Sequence, residues 1–486
     1  MRRAFVLAGV LLGACGEGGG ETGVDLAIRW DAALGLDRLA LSVSAGGEKL
    51  VERSLLPEEA RPLSASGREA VVVLLPDRLG GDEVSLEVDG LARAEVVATG
   101  RVAVTLSPGE LVTAAIALRP VGEQGCEDWD TAPSNLVPCE APAPEGALIL
   151  DRPGTYVIDT ATGQIATPDG DSLEPASDLA PQVGGPMVRR ISVDSLVVDD
   201  GTEVVASGPH ALLIAVWGDA TIDGTIDLAG ESGRDGPGGG DGDLCATAGG
   251  SSGGEAGEAG SGAGGGGGGA HSGDGGDGGD GHGDEKGSKG AKGRAAGGAD
   301  LVPLTGGCRG GGGGDAYGAP GSGAAGGGAG GAFEIAAQGG IALSGTIRVA
   351  GGGGGGGAAA ATSGAGGGGG GSGGAILLEA MEIELSGVAR LCANGGSGGE
   401  GGLASEAGSG GSPGTCTGER AVTSNQTDGG GDGGRGGAGD ARAGENAKAG
   451  SGSGAGGGGG GGTGRIRLRA LGQLTDHGAL LTPEAE

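Results

Sequence analysis

Cysteine offers the most chemistry in this chain, and its seven copies divide into one and six. Cys15 closes an N-terminal stretch in which Arg2 and Arg3 precede the apolar run Ala4 to Leu12 and then the small residues Gly13 and Ala14. This is the tripartite design of a secretory signal, and small residues directly before a cysteine let a peptidase cut there once the thiol carries a lipid. The other six pair most economically as neighbours: Cys126 with Cys139, Cys245 with Cys308, and Cys392 with Cys416. Each pair brackets a Pro-rich or Gly-rich loop with little core to close it. A bridge over a short loop stabilises it by about 3 kcal/mol. Metal ligation is the competing use, but no CxxC occurs and the histidines at 210, 271, 282 and 477 are not spaced as partners.

Carboxylates come next. Asp274, Asp277, Asp280 and Asp284 stand in a Gly-rich loop with Glu285 and are candidate oxygen ligands for calcium. Lys286, Lys289, Lys292 and Arg294 follow at once, so a solvated, charge-paired flexible loop without a cofactor is the plainer expectation. Asn425-Gln426-Thr427 fits a glycosylation sequon by pattern alone. Gly456 to Gly462 run into Thr463 without the lysine that a phosphate-binding loop needs, which excludes nucleotide binding. The net charge of -33 repels phosphate backbones, so no nucleic-acid partner is expected.

The quartet Leu12-Gly13-Ala14-Cys15 resembles the lipobox of bacterial lipoproteins. The resemblance implies that residues 1–14 are removed, that Cys15 is acylated, and that residues 15–22 tether the rest to a membrane. Gly16, in place of Asp, implies sorting to the outer membrane or cell surface. Gly275 to Gly283 resembles one repeat-in-toxin calcium nonapeptide with Asp280 in the ligand slot, but His282 stands where a large aliphatic side chain belongs and no tandem copy follows.

The elements that carry these residues read as mainly β. Residues 23–119 alternate apolar and polar with period two, as in Val24, Leu26 and Ile28 or Val84, Leu86 and Val88, and about seven such runs suggest an immunoglobulin-like β-sandwich. Residues 120–145, with Pro133, Pro138, Pro142 and Pro144, read as a Cys/Pro linker, and 146–209 as irregular β coils. Residues 210–486 hold an internal repeat, aligned without gaps by superposing Gly224, Gly345, Gly387 and Gly478. Its even offsets are apolar, for example Leu212, Phe333, Ala375 and Ile466, then Ile226, Ile347, Ala389 and Leu480. One copy cannot bury that face alone; stacking the copies as a β-solenoid buries it, and pairing them as antiparallel hairpins in a β-sandwich beside a polyglycine-II bundle is the alternative. The alignment puts Asp227, Arg348 and Arg390 at one outward position and makes the fourth copy, with Asp476 and Thr482, a terminal cap.

Between copies the chain makes excursions at 231–330, 351–374 and 393–464. Of 128 glycines, 97 lie between 231 and 464. Such segments are either disordered tassels, because Gly without apolar anchors cannot offset chain entropy, or a polyglycine-II bundle. In such a bundle only Gly lets rods with three residues per turn pack backbone to backbone. The Gly runs resemble polymorphic glycine-rich (PGRS-like) bacterial surface proteins. Together these features point to a non-enzymatic, lipid-anchored cell-envelope protein with a structural, display or adhesion role and a glycan or protein ligand at its surface. The alternative is a polysaccharide-binding or polysaccharide-cleaving β-helix, since the expected solenoid resembles pectate-lyase-like enzymes.

Overall fold

The computed structural model describes residues 22–486 apart from 31–33, 46–47, 58, 64–67, 82, 121–128, 130–132, 241 and 424–427. Cys15, the Cys126–Cys139 pairing and Asn425 lie outside the described residues. The chain divides into two compact units, Met1–Asp128 and Trp129–Glu486, and is mainly β with almost no helix. The division falls inside the expected linker, so residues 129–145 of it belong to the second unit.

In the first unit the alternating runs form β1 (Gly23–Arg29), β2 (Arg38–Ala45), β3 (Glu48–Leu56), β4 (Arg68–Leu74), β5 (Glu83–Ala92), β6 (Glu95–Thr105), β7 (Leu111–Ala117) and β8 (Arg119–Pro120). One sheet has the order β4-β1-β7 and a second the order β3-β2-β5-β6-β8. Because successive side chains on a strand point to opposite faces, Val24, Leu26 and Ile28 meet Leu39, Leu41, Leu86 and Val88 in one buried apolar cluster.

The second unit opens with β9 (Leu148–Leu150), β10 (Gly154–Asp159), β11 (Ile165–Ala166), β12 (Ser172–Leu173), β13 (Ser177–Ala180), β14 (Val188–Val193), β15 (Leu196–Val198) and β16 (Thr202–Ser207). The repeat copies follow. They supply β17 (Ala211–Val216), β18 (Ala220–Ile222) and β19 (Thr225–Asp227), then β20 (Ala332–Ala337), β21 (Gly340–Leu343) and β22 (Thr346–Arg348). After the two-residue hairpin strands β23 (Ala359–Ala360) and β24 (Ser363–Gly364) come β25 (Ala375–Leu385), β26 (Arg390–Cys392), β27 (Arg465–Asp476) and β28 (Leu480–Thr482).

These strands pair in parallel, like on like, in three rows. The first row runs β14, β17, β20, β25, β27, and the second β9, β15, β18, β21 and the later parts of β25 and β27. The third runs β10, β16, β19, β22, β26, β28. Short antiparallel strands close the N-terminal edge, β13 beside β14 and β11 with β12 beside β10. Inward columns such as Ile191, Ile214, Ile335 and Leu378, or Tyr156, Val204, Ile226, Ile347 and Leu391, share one core. Strands β9, β10, β14, β15 and β16 pair in parallel, in register with the strands of the first repeat copy.

The gapless alignment fails in the third copy. Phe333 registers with Ile376 and Ile335 with Leu378, one residue later than expected, while Ile347 registers with Leu391, two later. A one-residue slip exchanges the two faces of a strand. Ile376, Leu378 and Ala380 thus face the core, and Glu379, expected inside, lies on the outer row with Arg469. Arg390 registers with Thr346, so the Asp227–Arg348 row continues into Cys392 and Thr482 rather than into a second arginine. Thr482 is a buried outer-row residue whose hydroxyl donates to Asn394. Asp476 does end an inward column, after Ile222, Leu343 and Leu385, and accepts the N–H groups of Gly478 and Ala479.

Among the described residues the excursions are held by backbone hydrogen bonds rather than left as disordered tassels. Residues 364–374 form a rod whose N–H groups rotate among three neighbours: Gly367, Gly370 and Gly373 donate to Gly456, Gly459 and Gly462. Gly368 and Gly371 donate to Gly355 and Gly352, and Gly366 and Gly369 to Gly314 and Gly311. Its carbonyls accept from three further segments, through Gly266 and Gly269, Ala324 and Gly327, and Gly396 and Gly399. A three-residue period with bonds to six surrounding segments leaves no direction free for a side chain at Gly366 to Gly371. Ideal Cβ atoms at Gly368, Gly369 and Gly370 would lie 2.0, 1.9 and 2.2 Å from the carbonyl oxygens of Ala325, Gly267 and Gly396. Disulfides join Cys245 to Cys308 and Cys392 to Cys416 beside these rods, at Cα separations of 5.5 and 5.2 Å.

Candidate binding groove

Every long excursion leaves after a third-row strand and returns before a first-row strand, so the outer side of the third row meets the first rods along one edge. A groove of about 730 Å³ lies there, lined by Glu203, Asp227, Arg348, Glu231, Arg234 and Asp235 among others. Strand alternation positions the first three. With Ile226 and Ile347 held inward at 1% and 0% exposure, Asp227 and Arg348 must point out, and they are register partners.

The groove is held by charged hydrogen bonds. Arg348 Nη1 donates to Asp227 Oδ2 at 2.9 Å, and Asp227 Oδ1 accepts the Ala229 N–H at 2.8 Å, which starts the first excursion. Arg234 pairs with Glu231 at 3.0 Å. Asp235 receives Arg309 at 2.7 Å and the Ala329 N–H at 2.8 Å. Glu203 takes a hydrogen bond from the Thr155 hydroxyl at 3.1 Å. Such a surface offers paired donors and acceptors to a polar ligand, without an aromatic ring among its lining residues.

The aspartates proposed for calcium are placed on a rod rather than in a loop. Asp274, Asp277 and Asp280 recur every third residue and face Lys292, Lys289 and Lys286 on the antiparallel rod beside them, at 3.0, 3.2 and 3.2 Å. Each also accepts a backbone N–H, from Ala295, Lys292 and Lys289. The Ala295 N–H, helped by the Lys292 ammonium, holds the Asp274 carboxyl below the usual range. Asp284 is exposed beyond this ladder. Among the described residues no group of three or more His, Cys, Asp or Glu side chains could hold a metal ion.

Two acids that sequence reading missed are brought together elsewhere. Glu334 and Glu379, 0% and 1% exposed, lie on the outer side of the first row. Asn135 Nδ2 donates to Glu334 Oε2 at 2.8 Å, while the N–H and hydroxyl of Ser134 donate to Glu379, each at 2.7 Å. Arg469 also binds Glu379, at 2.8 Å. A signal was present: an acid standing between Phe333 and Ile335 in a strand otherwise apolar on both faces is a buried carboxyl in need of partners. No family model, no curated protein and no solved structure matches this chain.

Proposed function

We propose that this is a non-enzymatic, lipid-anchored protein of the cell envelope that presents a rigid adhesion or display surface. In this reading the first unit is an immunoglobulin-like β-sandwich used as a spacer, and the second is a β-solenoid flanked by a polyglycine-II bundle. The observation that carries it is the rod bundle. A segment that spends its residues on backbone-bonded Gly gains shape and stiffness at the expense of the side chains that catalysis needs. Its outer faces fix charge at regular spacing, as in the Asp274–Asp280 row. The Cys245–Cys308 and Cys392–Cys416 bridges support residence in an oxidising compartment. Anchoring rests on Cys15 and the residues before it. The groove at Asp227 and Arg348 is the contact for a glycan or protein ligand. The same groove supports a second reading, a polysaccharide-cleaving β-helix, through its carboxylates.

The test expresses the full chain and its Cys15→Ala variant in a bacterial host with an outer membrane and follows membrane fractionation. The variant is expected to remain an uncut, unacylated precursor. A mature-sized variant that still partitions into detergent would refute the anchor. Release of reducing sugar from envelope polysaccharides by the purified ectodomain would favour the second reading.

A further inference from the structure

Outside the groove, Glu334 and Glu379 form a buried carboxyl pair whose charge balance depends on a proton. We propose that residues 133–136 form a proton-locked latch over the outer side of the first row, which opens when the Glu334–Glu379 pair loses its proton.

On β17, β20 and β25 the outer side of this row is apolar apart from the pair. Val188, Ala211, Leu213, Ala215, Ala332, Ala336, Ala375 and Leu377 are buried there, and Trp129, Leu136, Leu301 and Leu304 cover them. Trp129 stands edge-on to Trp217 with ring centroids 5.3 Å apart. Ser134 and Asn135 close this cover by donating to the two acids, and Asn135 also donates to the Leu301 carbonyl.

Charge counting then decides. From the last strand Arg469 supplies one positive charge to Glu379. Arg467, its neighbour on the same side, is directed to the Ala299 carbonyl, and Arg190, two strands from Glu334 in the same register row, is engaged by Asp178 and the Glu140 carbonyl. The covering loop brings Asp300, which is exposed, and the latch brings only neutral donors. With one proton on the pair, the two carboxyls and Arg469 together are neutral. Without it, a second carboxylate is buried beside Arg469, and among the described residues Glu334 Oε1 has no hydrogen-bond partner to offset the loss. Burial, and then the charge of Glu379, push Glu334 well above the usual carboxyl range. The closed form therefore holds the proton more tightly than the open form. Closure is strong at low pH and weakens as pH rises past the ordinary carboxyl value, by up to about tenfold per unit, until the closed form itself ionises.

Acrylamide quenching of the Trp129–Trp217 pair, in a Trp30→Phe background of the full chain, reads the latch without a titrating probe. The quenching constant is expected to rise about threefold between pH 5 and pH 9 while the far-ultraviolet spectrum is unchanged. Glu334→Gln, neutral at every pH, should keep it low throughout. Ser134→Ala, which removes one latch bond, should move the rise to lower pH. An equal rise in Glu334→Gln, a flat response in the parent chain, an unmoved midpoint in Ser134→Ala, or a rise that coincides with loss of strand signal would each overturn the latch.

Discussion

Adjacent residues on β22 have opposite duties. Ile347 is fully buried between Ile226 and Leu391, so Ile347→Asp places a carboxylate where nothing can bind it and should cost several kcal/mol. Arg348→Asp loses only the half-exposed pair with Asp227 and sets two carboxylates side by side, a cost of about 1 kcal/mol. Urea denaturation of the two variants checks the contrast, and equal losses would mean that the inward and outward assignments are wrong. His271 makes a different demand. It is fully buried, neither ring nitrogen makes a hydrogen bond, and burial, with the nearby Arg465 charge, lowers its pKa to about 3. The unfolded chain takes up a proton below pH 6.5 that the folded chain refuses. Stability therefore falls as pH drops from 6.5 to 3, by on the order of 4 kcal/mol from this side chain. His271→Leu should flatten the pH dependence of denaturation in that window. An unchanged slope would assign acid sensitivity to the carboxylates instead.

At the scale of elements, the strand alternation was legible and the register was not. Period two marks which side of a strand is apolar, but superposing Gly387 on Gly345 hid the residue that the corner of β25 lacks beside its neighbours and the longer turn from β25 to β26. The registers Ala380↔Ala470 and Glu382↔Gln473 show the same corner as a bulge. The order of the Gly runs was also readable in principle, through a period of three. Rods with neighbours on all sides are Gly at every position, as in Gly264–Gly269 and Gly366–Gly371. The rod with one wet side is Gly-Gly-Asp, at 275–280, and one with two wet sides keeps only Gly287, Gly290 and Gly293. Each Gly answers to a neighbouring carbonyl: Gly275 to Gly268, Gly276 to Glu445, Gly290 to Ser252. Gly369→Ala should accordingly loosen the bundle and expose 351–374 to elastase, because its Cβ would meet the Gly267 oxygen at 1.9 Å. Gly418→Ala, whose Cβ meets nothing within 4 Å, is the control. If the two are digested alike, the rods are not held by backbone contact.

For the second unit as a whole, the parallel strand rows and the rods are joined by backbone hydrogen bonds. The Gly374 N–H reaches Val349, Ala375 reaches Gly331 and Arg465 reaches Gly374, so the parallel ladder passes into the bundle without a break. Strands and rods both space their chains by a backbone N–H to carbonyl bond, about 4.8 Å for strands, and one lattice can seed the other. A second consequence concerns inheritance. Because a rod repeats every three residues, it has a reading frame of its own, imposed by the neighbours rather than by the ribosome. One extra Gly after Asp277 would turn Asp280 by a third of a turn, away from Lys286 and toward backbone. An extra Gly-Gly-Asp would leave every later side chain in phase and only lengthen the tip. The melting temperature should drop for the first insertion and stay close to the parent for the second. Length changes along such a chain are therefore tolerated in steps of three amino acids, nine bases in the gene, and penalised between them.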